Sequence, residues 1–233
     1  QPKVRLDGNR ITGAEALVRW IHPQRGVINP MDFIPVAEEC GLIHAVGDWV
    51  LRETCRQIRA WREQGLAVPR IAINVSVHQF RQAGFADGVA AVLAEYGLEG
   101  SVLGVELTES AIMENTVESL GALQALKDLG IELSIDDFGT GYSSLGYLKR
   151  FPLHILKIDR SFMIGVGKDE HSAAIVSAII SIGHRLGLRV VAEGVDTARQ
   201  LEFLASHGCD EHQSFLFSRP LTPEALADFA PQQ

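Results

Sequence analysis

The sequence is poor in the features on which several classes of protein depend. Its three cysteines, Cys40, Cys55 and Cys209, are odd in number, far apart and without a CxxC pair. This pattern argues against a disulfide framework or a zinc site and favours a reducing compartment. No Lys/Arg run occurs, and the 29 acidic residues outnumber the 21 basic ones, for a net charge of −8. Electrostatic binding to DNA is therefore not expected.

Long apolar runs are missing as well. No stretch approaches the roughly 18 apolar residues of a membrane helix, and the first residues lack the pattern of a signal peptide. The composition, 46% hydrophobic and 21% charged, is that of a globular protein. Because the chain begins abruptly in a predicted strand, we interpret residues 1–233 as a single domain whose N-terminal edge is truncated. We expect this segment to be cytoplasmic and to make no membrane contact, although its parent protein can be membrane-tethered.

Short β-rich runs alternate with longer helical patterns along the chain, and no Pro/Gly/Ser-rich linker interrupts them. Strands are predicted at 4–6, 10–11, 14–18, 70–75, 103–107, 131–135, 155–158, 189–192 and 213–217. Helices are predicted at 32–40, 46–64, 85–96, 117–129, 144–149, 172–186 and 199–206. Roughly eight β/α units in 233 residues match a TIM-type (β/α)8 barrel of the α/β class. The alternative, an open doubly wound sheet, would normally show a Gly-x-Gly-x-x-Gly fingerprint, which is absent after the first strand.

Polar side chains fall at the end of nearly every predicted strand. In a barrel these ends converge on one mouth, so we expect a single cluster of Glu15, Asn74, Glu106, Asp136, Asp137, Lys157, Asp159, Glu193 and Gln213. Any one of them alone is also compatible with a solvated strand end. Packed carboxylates repel one another, so the cluster requires cations. Oxygen ligands suit Mg²⁺ or Mn²⁺ rather than zinc.

The adjacent Asp136 and Asp137 indicate a two-metal site. One carboxylate can bridge two ions while its neighbour holds the second, an arrangement that activates water for phosphodiester hydrolysis. Lys157 can orient or deprotonate that water, and a salt bridge to a nearby carboxylate is the structural alternative. The segment 137–144 lacks the Gly-Lys-Ser/Thr ending of a P-loop and is interpreted as a hinged loop. The eight histidines show no metal-ligand spacing and are interpreted as structural or surface residues.

Six blocks of sequence together resemble the EAL-domain family of cyclic di-GMP phosphodiesterases. The first is Glu-Ala-Leu-Val-Arg-Trp at 15–20. The others are Asn-Val-Ser at 74–76, Glu-Leu-Thr-Glu-Ser at 106–110, Asp-Asp-Phe-Gly-Thr-Gly at 136–141, Lys-Ile-Asp at 157–159 and Glu-Gly-Val at 193–195. They follow in the family's order and spacing over essentially the whole chain. A single Glu-Ala-Leu triplet would carry little weight, whereas the ordered set is specific.

The resemblance implies a barrel with an antiparallel first strand and hydrolysis of cyclic di-GMP to linear pGpG. It implies two Mg²⁺ or Mn²⁺ ions, inhibition by calcium, and metal ligands at Glu15, Asn74, Glu106, Asp136, Asp137 and Glu193. The implied catalytic residues are Lys157, Glu15 and Glu193. The implied substrate contacts are Gln1, Leu17, Arg19, Asp159 and Gln213, and Glu109 would anchor the 137–144 loop. The expected partners are cyclic di-GMP, a second copy in a homodimer, and sensor or regulatory domains of a parent chain.

The closing motif departs from the family pattern. Ser214 stands where a glycine usually follows the glutamine, Phe215 replaces a common Tyr, and Asp196 is shorter than the usual Glu. We expect Ser214 to alter substrate affinity by shifting Gln213 or crowding a guanine. The alternative function is a catalytically silent cyclic di-GMP receptor that signals to a protein partner, and a further one is a scaffold that recognises only proteins. Silent receptors usually lose metal ligands or the loop sequence, and this chain keeps both.

Overall fold

The computed structural model describes residues 1–8, 10–67, 69–113, 116–140 and 145–229. The strands are β1 (Pro2–Arg5), β2 (Ile11–Ala16), β3 (Trp20–His22), β4 (Gly26–Ile28), β5 (Arg70–Asn74), β6 (Leu103–Thr108), β7 (Glu132–Phe138), β8 (Ile155–Ile158), β9 (Arg189–Glu193) and β10 (Glu211–Gln213). The helices are α1 (Pro30–Glu39), α2 (Ile43–Glu63), α3 (Val77–Phe80), α4 (Phe85–Glu95), α5 (Glu109–Met113), α6 (Thr116–Asp128), α7 (Leu145–Leu148), α8 (Arg160–Met163), α9 (Glu170–Arg185), α10 (Ala198–Ser206) and α11 (Pro223–Phe229). None of the described helices combines the length and hydropathy that a membrane span requires.

A closed barrel forms the centre of the fold, with the strand order β1-β10-β9-β8-β7-β6-β5-β2. β1 is antiparallel to both of its neighbours, β10 and β2, and the other neighbouring pairs are parallel. The predicted TIM-type barrel and its antiparallel first strand are thus confirmed. The count of β/α units needs one correction, because β1 and β2 pair as antiparallel neighbours without an intervening helix.

The barrel strands alternate between apolar outward-facing residues and polar inward-facing ones. In β6, Leu103, Val105 and Leu107 are fully buried and belong to the apolar core, while Glu106 between them reaches a lysine of another strand. Since side chains alternate across a strand, one face packs under the helices and the other lines the interior. The alternation therefore builds a hydrophobic shell outside the barrel wall and directs charged and polar side chains into its packed interior.

A network of charges lies at the amino-terminal ends of the parallel strands. The guanidinium groups of Arg70 and Arg189 both donate to the carboxylate of Glu132. Arg189 also donates to Glu211, over 2.9 Å. Both carboxylates are buried. In barrels of this type the amino-terminal face serves stability rather than chemistry, so we assign this network to the closed end of the molecule.

Several elements differ from the sequence prediction, among them the helices α3, α5, α8 and α11, which were not predicted. The last strand was expected at 213–217, but β10 is Glu211–Gln213. The apolar Phe215 and Leu216 that suggested a strand are instead 51% and 48% exposed in the turn that follows. The β3–β4 hairpin was not predicted at all. The predicted helix 144–149 is observed as α7, and Ser144 itself lies outside the described residues.

Candidate active site

The carboxyl ends of the parallel strands bring most of the predicted site residues together at one mouth. Asn74, Glu193 and Gln213 are the last residues of β5, β9 and β10. Glu15, Glu106, Asp136, Asp137 and Lys157 lie in β2, β6, β7 and β8. Residues distant in sequence consequently touch, as Gln213 Nε2 donates to Glu15 Oε2 over 2.6 Å across 198 positions.

Lys157 lies at the centre of the cluster and is 1% exposed. Its Nζ is 3.6 Å from Glu15, 3.4 Å from Asp136 and 2.5 Å from Glu193. Glu106 also pairs with it, through Oε2. Four carboxylates from four strands thus surround one ammonium group, and the salt bridge considered as the structural alternative for Lys157 is present.

The charges of the cluster are unbalanced. Burial lowers the pKa of Lys157, but Glu106, Glu15 and Glu193 outweigh it and raise the pKa well above 10.5. The surrounding carboxylates therefore hold Lys157 as an ammonium in the metal-free site. Burial raises the pKa of Asp136 to about 6 and of Glu193 to about 8, because the attraction of Lys157 does not offset the loss of solvation and the repulsion of the neighbouring carboxylates.

Two amide side chains hold the carboxylate of Glu15 from opposite sides. Asn74 Nδ2 donates to Oε1 over 2.5 Å, and Gln213 Nε2 donates to Oε2. Gln213 Nε2 also reaches Gln1 Oε1 at 3.2 Å, and Gln1 Nε2 donates to the carbonyl oxygen of Ser218 over 3.0 Å. The oxygen Gln213 Oε1 is buried and has no partner among the described residues. An acceptor oxygen in the mouth is thus left for a ligand.

Asp137 begins the loop in a strained conformation. Its φ of 54° lies in the left-handed region, which residues other than glycine rarely adopt. Burial raises its pKa, and the nearby Asp159 raises it further. Asp159 also caps α8, accepting from Ser161 N over 3.0 Å. The two carboxylates therefore face each other at the edge of the cluster.

Glu109 contacts the start of the same loop. Its buried carboxylate accepts from Gly139 N over 3.1 Å, which agrees with its predicted role as an anchor. Residues 141–144 of the loop lie outside the described part of the chain. Their predicted roles in metal binding and closure stay predictions.

Two cavities open at the mouth. One of about 230 Å³ is lined by Gln1, Glu15, Leu17, Asp136, Arg160, Glu193, Gly194, Asp196, Gln213, Ser214 and Phe215. The other, of about 440 Å³, adjoins it through Gln1 and Leu17 and contains Arg19. Arg19 is exposed, and its Nη1 donates to Val18 O over 2.9 Å. The structure thus places Arg19 beside the carboxylate cluster rather than within it.

Three residues of this region escaped the sequence prediction or departed from its pattern. Arg160 lines the smaller cavity, but nothing in its motif singled it out. Lys3 is 3% exposed, and its Nζ lies 3.0 Å from Glu106 Oε1. The alternating pattern of β1 could have revealed the burial of Lys3, since a lysine between two apolar residues of a strand points to the face opposite theirs. Ser214 is buried, with its Oγ 3.1 Å from His212 Nδ1 and accepting from Phe217 N.

The donor set fits divalent cations that prefer oxygen. Among the described residues, no three His, Cys, Asp or Glu side chains are arranged to hold a metal ion. The carboxylates face the Lys157 ammonium instead. Carboxylates, an amide oxygen without a partner and an excess of negative charge are nevertheless what Mg²⁺ or Mn²⁺ requires. Binding would require the carboxylates to turn from the ammonium toward an ion.

A barrel with one reversed strand and an acidic, oxygen-rich mouth defines the class of protein. The chain belongs to the EAL domain family, whose model matches residues 1–220. It is 50% identical over 97% of its length to MucR of Pseudomonas aeruginosa, a bifunctional diguanylate cyclase/cyclic di-GMP phosphodiesterase, and covers 33% of that protein. It is 44% identical over 98% of its length to the cyclic di-GMP phosphodiesterase NbdA of the same species, and covers 29% of it.

A solved structure agrees with these relatives. The PaMucR phosphodiesterase in complex with cyclic di-GMP superposes with a TM-score of 0.93 at 50% sequence identity, covering 97% of this chain and 92% of the other. The chain spans about a third of the length of the curated relatives it matches. Those relatives are larger signalling proteins, so their domain context applies to this chain only as a proposal.

Proposed function

We propose that this chain hydrolyses cyclic di-GMP to linear pGpG with a water activated by two Mg²⁺ or Mn²⁺ ions. The observation that carries the proposal is the convergence of Glu15, Glu106, Asp136 and Glu193 on one buried point at the barrel mouth. Relatives named as cyclic di-GMP phosphodiesterases, at 44% and 50% identity, support the substrate.

The ions would be held by Glu15, Asn74, Glu106, Asp136, Asp137 and Glu193. When bound, they supply activation of the water and neutralise charge on the attacking and leaving oxygens. Lys157 would donate a hydrogen bond to the water and so orient it toward the phosphorus. Glu15 and Glu193 flank this position from β2 and β9, which makes them the catalytic carboxylates of the proposal.

The substrate would lie across the two cavities of the mouth. Gln1, Leu17 and Gln213 line the smaller cavity. Arg19, exposed at the larger one, suits a bidentate contact to a phosphate. Asp159 would act at the edge of the site through its contact with Asp137, and Glu109 would hold the loop in place.

The setting of the domain is proposed with the function. We propose that the chain acts in the cytoplasm, forms a homodimer with whose interface the 137–144 loop communicates, and receives its signal from sensor or regulatory domains of a longer protein. Calcium is proposed to inhibit the reaction.

The test is incubation of the purified chain with cyclic di-GMP and Mg²⁺, followed by ion-exchange separation of the products. We expect pGpG to form, EDTA to stop its formation, and Glu15→Ala to abolish it while the fold persists. An exposed acid in α10, Glu202, provides the control substitution Glu202→Ala. Tight binding of cyclic di-GMP without turnover, in Mn²⁺ as well as Mg²⁺, would instead refute a constitutively active enzyme and leave the silent receptor or an enzyme that awaits its regulatory domain.

A further inference from the structure

Two lysines share one carboxylate in the barrel interior. Glu106 Oε1 is 3.0 Å from Lys3 Nζ, and Glu106 Oε2 pairs with Lys157. The side chains of all three residues are at most 4% exposed. Each oxygen of Glu106 therefore has its own cation. Burial raises the pKa of Glu106, but Lys157 and Lys3 outweigh it and lower the pKa to about 2.

Lys3 approaches Glu106 from the side away from the mouth. It pairs with Gly13, which lies two residues before Glu15 on β2 and so one layer deeper in the barrel. Lys157, in contrast, lies among the carboxylates of the mouth itself. An ion entering the mouth would thus meet Oε2 of Glu106, while Oε1 stays with Lys3.

A glycine makes room for the Lys3 side chain. A Cβ added at Gly13 would lie 3.3 Å from Lys3 Cε and 3.2 Å from the carbonyl oxygen of Arg70. The Lys3 stem therefore occupies space that a side chain at position 13 would need.

We propose that Lys3 selects Mg²⁺ and Mn²⁺ over Ca²⁺ by reserving one oxygen of Glu106. The inference rests on the proposed metal site but not on turnover. With Oε1 held by Lys3, Glu106 offers an ion a single oxygen, and Lys3 is a positioning residue rather than a ligand.

The two kinds of ion respond differently to this restriction. Mg²⁺ demands near-octahedral geometry at about 2.0–2.1 Å, and the two oxygens of one carboxylate lie too close together to occupy adjacent corners of that octahedron. Ca²⁺ takes six to eight oxygens and readily binds a carboxylate through both. When Glu106 offers only one oxygen, Ca²⁺ therefore loses a coordinating atom, whereas Mg²⁺ loses none.

The experiment compares metal affinities without substrate. Lys3→Met keeps the apolar stem and removes the ammonium, and Lys127→Met, at an exposed position in α6, is the matched control. Binding of Mn²⁺ is followed by its electron paramagnetic resonance signal, with Mg²⁺ and Ca²⁺ as competitors. The added negative charge strengthens binding of all three ions, so the ratio of affinities isolates the geometric effect.

We expect Lys3→Met to shift the Ca²⁺/Mg²⁺ affinity ratio toward Ca²⁺ by about tenfold, as a gained carboxylate oxygen does in calcium sites. Lys127→Met should leave the ratio unchanged. An unchanged ratio in a folded Lys3→Met protein overturns the proposal, as does equal weakening of all three ions, which would make Lys3 a simple support for Glu106.

Two further outcomes are covered by the same design. If circular dichroism shows that Lys3→Met does not fold, Lys3→Ile provides the same loss of the ammonium with a residue suited to strands. A wild-type chain that binds no Mn²⁺ overturns both this inference and the metal part of the proposed function. A wild-type chain that binds Mn²⁺ but does not hydrolyse cyclic di-GMP refutes only the hydrolysis, and the affinity ratio still decides the role of Lys3.

Discussion

The charge network at the closed end of the barrel makes a quantitative prediction for Glu132→Gln. This substitution keeps the volume of the side chain and removes the negative charge to which Arg70 and Arg189 both donate. The Glu132 side chain is 10% exposed, whereas those of Arg70 and Arg189 are 34% and 43% exposed. The substitution thus leaves two guanidinium groups that water can partly solvate.

The expected loss in the free energy of unfolding lies between two limits. Removing one partner of a fully buried ion pair costs about 3–5 kcal/mol, and an exposed pair contributes about 0–1 kcal/mol. Because the acid is buried and both bases reach water, we expect Glu132→Gln to lower the free energy of unfolding by about 2 kcal/mol. For a chain of this size, that corresponds to a fall in Tm of about 4–8 °C.

The assay is thermal unfolding by circular dichroism, in EDTA, of the wild type, Glu132→Gln and the exposed control Glu202→Gln. Hydrolysis of cyclic di-GMP by Glu132→Gln at 25 °C should match the wild type, because the network lies at the end opposite the mouth. A fall in Tm no larger than that of the control would refute the assignment of stability to this network. Lost hydrolysis in a folded Glu132→Gln protein would refute its separation from the site.

Three further predictions concern the mouth. Without metal, the raised pKa of Glu193 (about 8) means that the folded state holds a proton that the unfolded chain releases. The free energy of unfolding should therefore fall as pH rises from 7 to 8.5, by about 1 kcal/mol more in the wild type than in Glu193→Gln. Urea midpoints that change equally with pH in the two proteins would contradict this prediction. Glu109→Ala removes the acceptor for Gly139 N and should lower kcat about tenfold, whereas the exposed control Glu118→Ala should not. Ser214→Gly should lower the free energy of unfolding by about 1 kcal/mol, through loss of its bonds to His212 and Phe217, and change KM more than kcat. An equal change in both kinetic constants would show that Ser214 does not act on substrate affinity.

The regular part of the barrel was predictable because local patterns and tertiary structure agree there. The run at 155–158 is apolar at most positions, rich in β-branched residues and bounded by turns, and β8 has the predicted bounds. The polar residues at the strand ends become neighbours once the strands are arranged in parallel, because the carboxyl ends of parallel strands meet at one end of the barrel. Convergence of Glu15, Asp136 and Glu193 on Lys157 followed from the barrel topology.

The irregular part was not predictable because closure of the barrel decides it. β10 consists of Glu211, His212 and Gln213, which have little propensity for strands but pair with β9 and β1. The nearby Phe215 and Leu216 matched a strand better and remain outside it. Lys3 was overlooked for a similar reason, since a lysine in a short terminal strand is usually solvated. Its burial becomes evident only when Gly13 and Glu106 are placed around it.

The reversed strand also has a consequence for biosynthesis. β1 pairs with β10 through Val4 and His212, so the ribosome must add 208 residues after Val4 before the barrel can close. At about 5–20 residues per second, the free edge of β1 waits about 10–40 s for its partner. A strand of four residues carrying an inward-pointing lysine is a poor template for pairing with another chain. An inward-pointing lysine thus disfavours pairing of the unfinished barrel with another chain, and a nascent chain that has not reached Gln213 lacks part of the site.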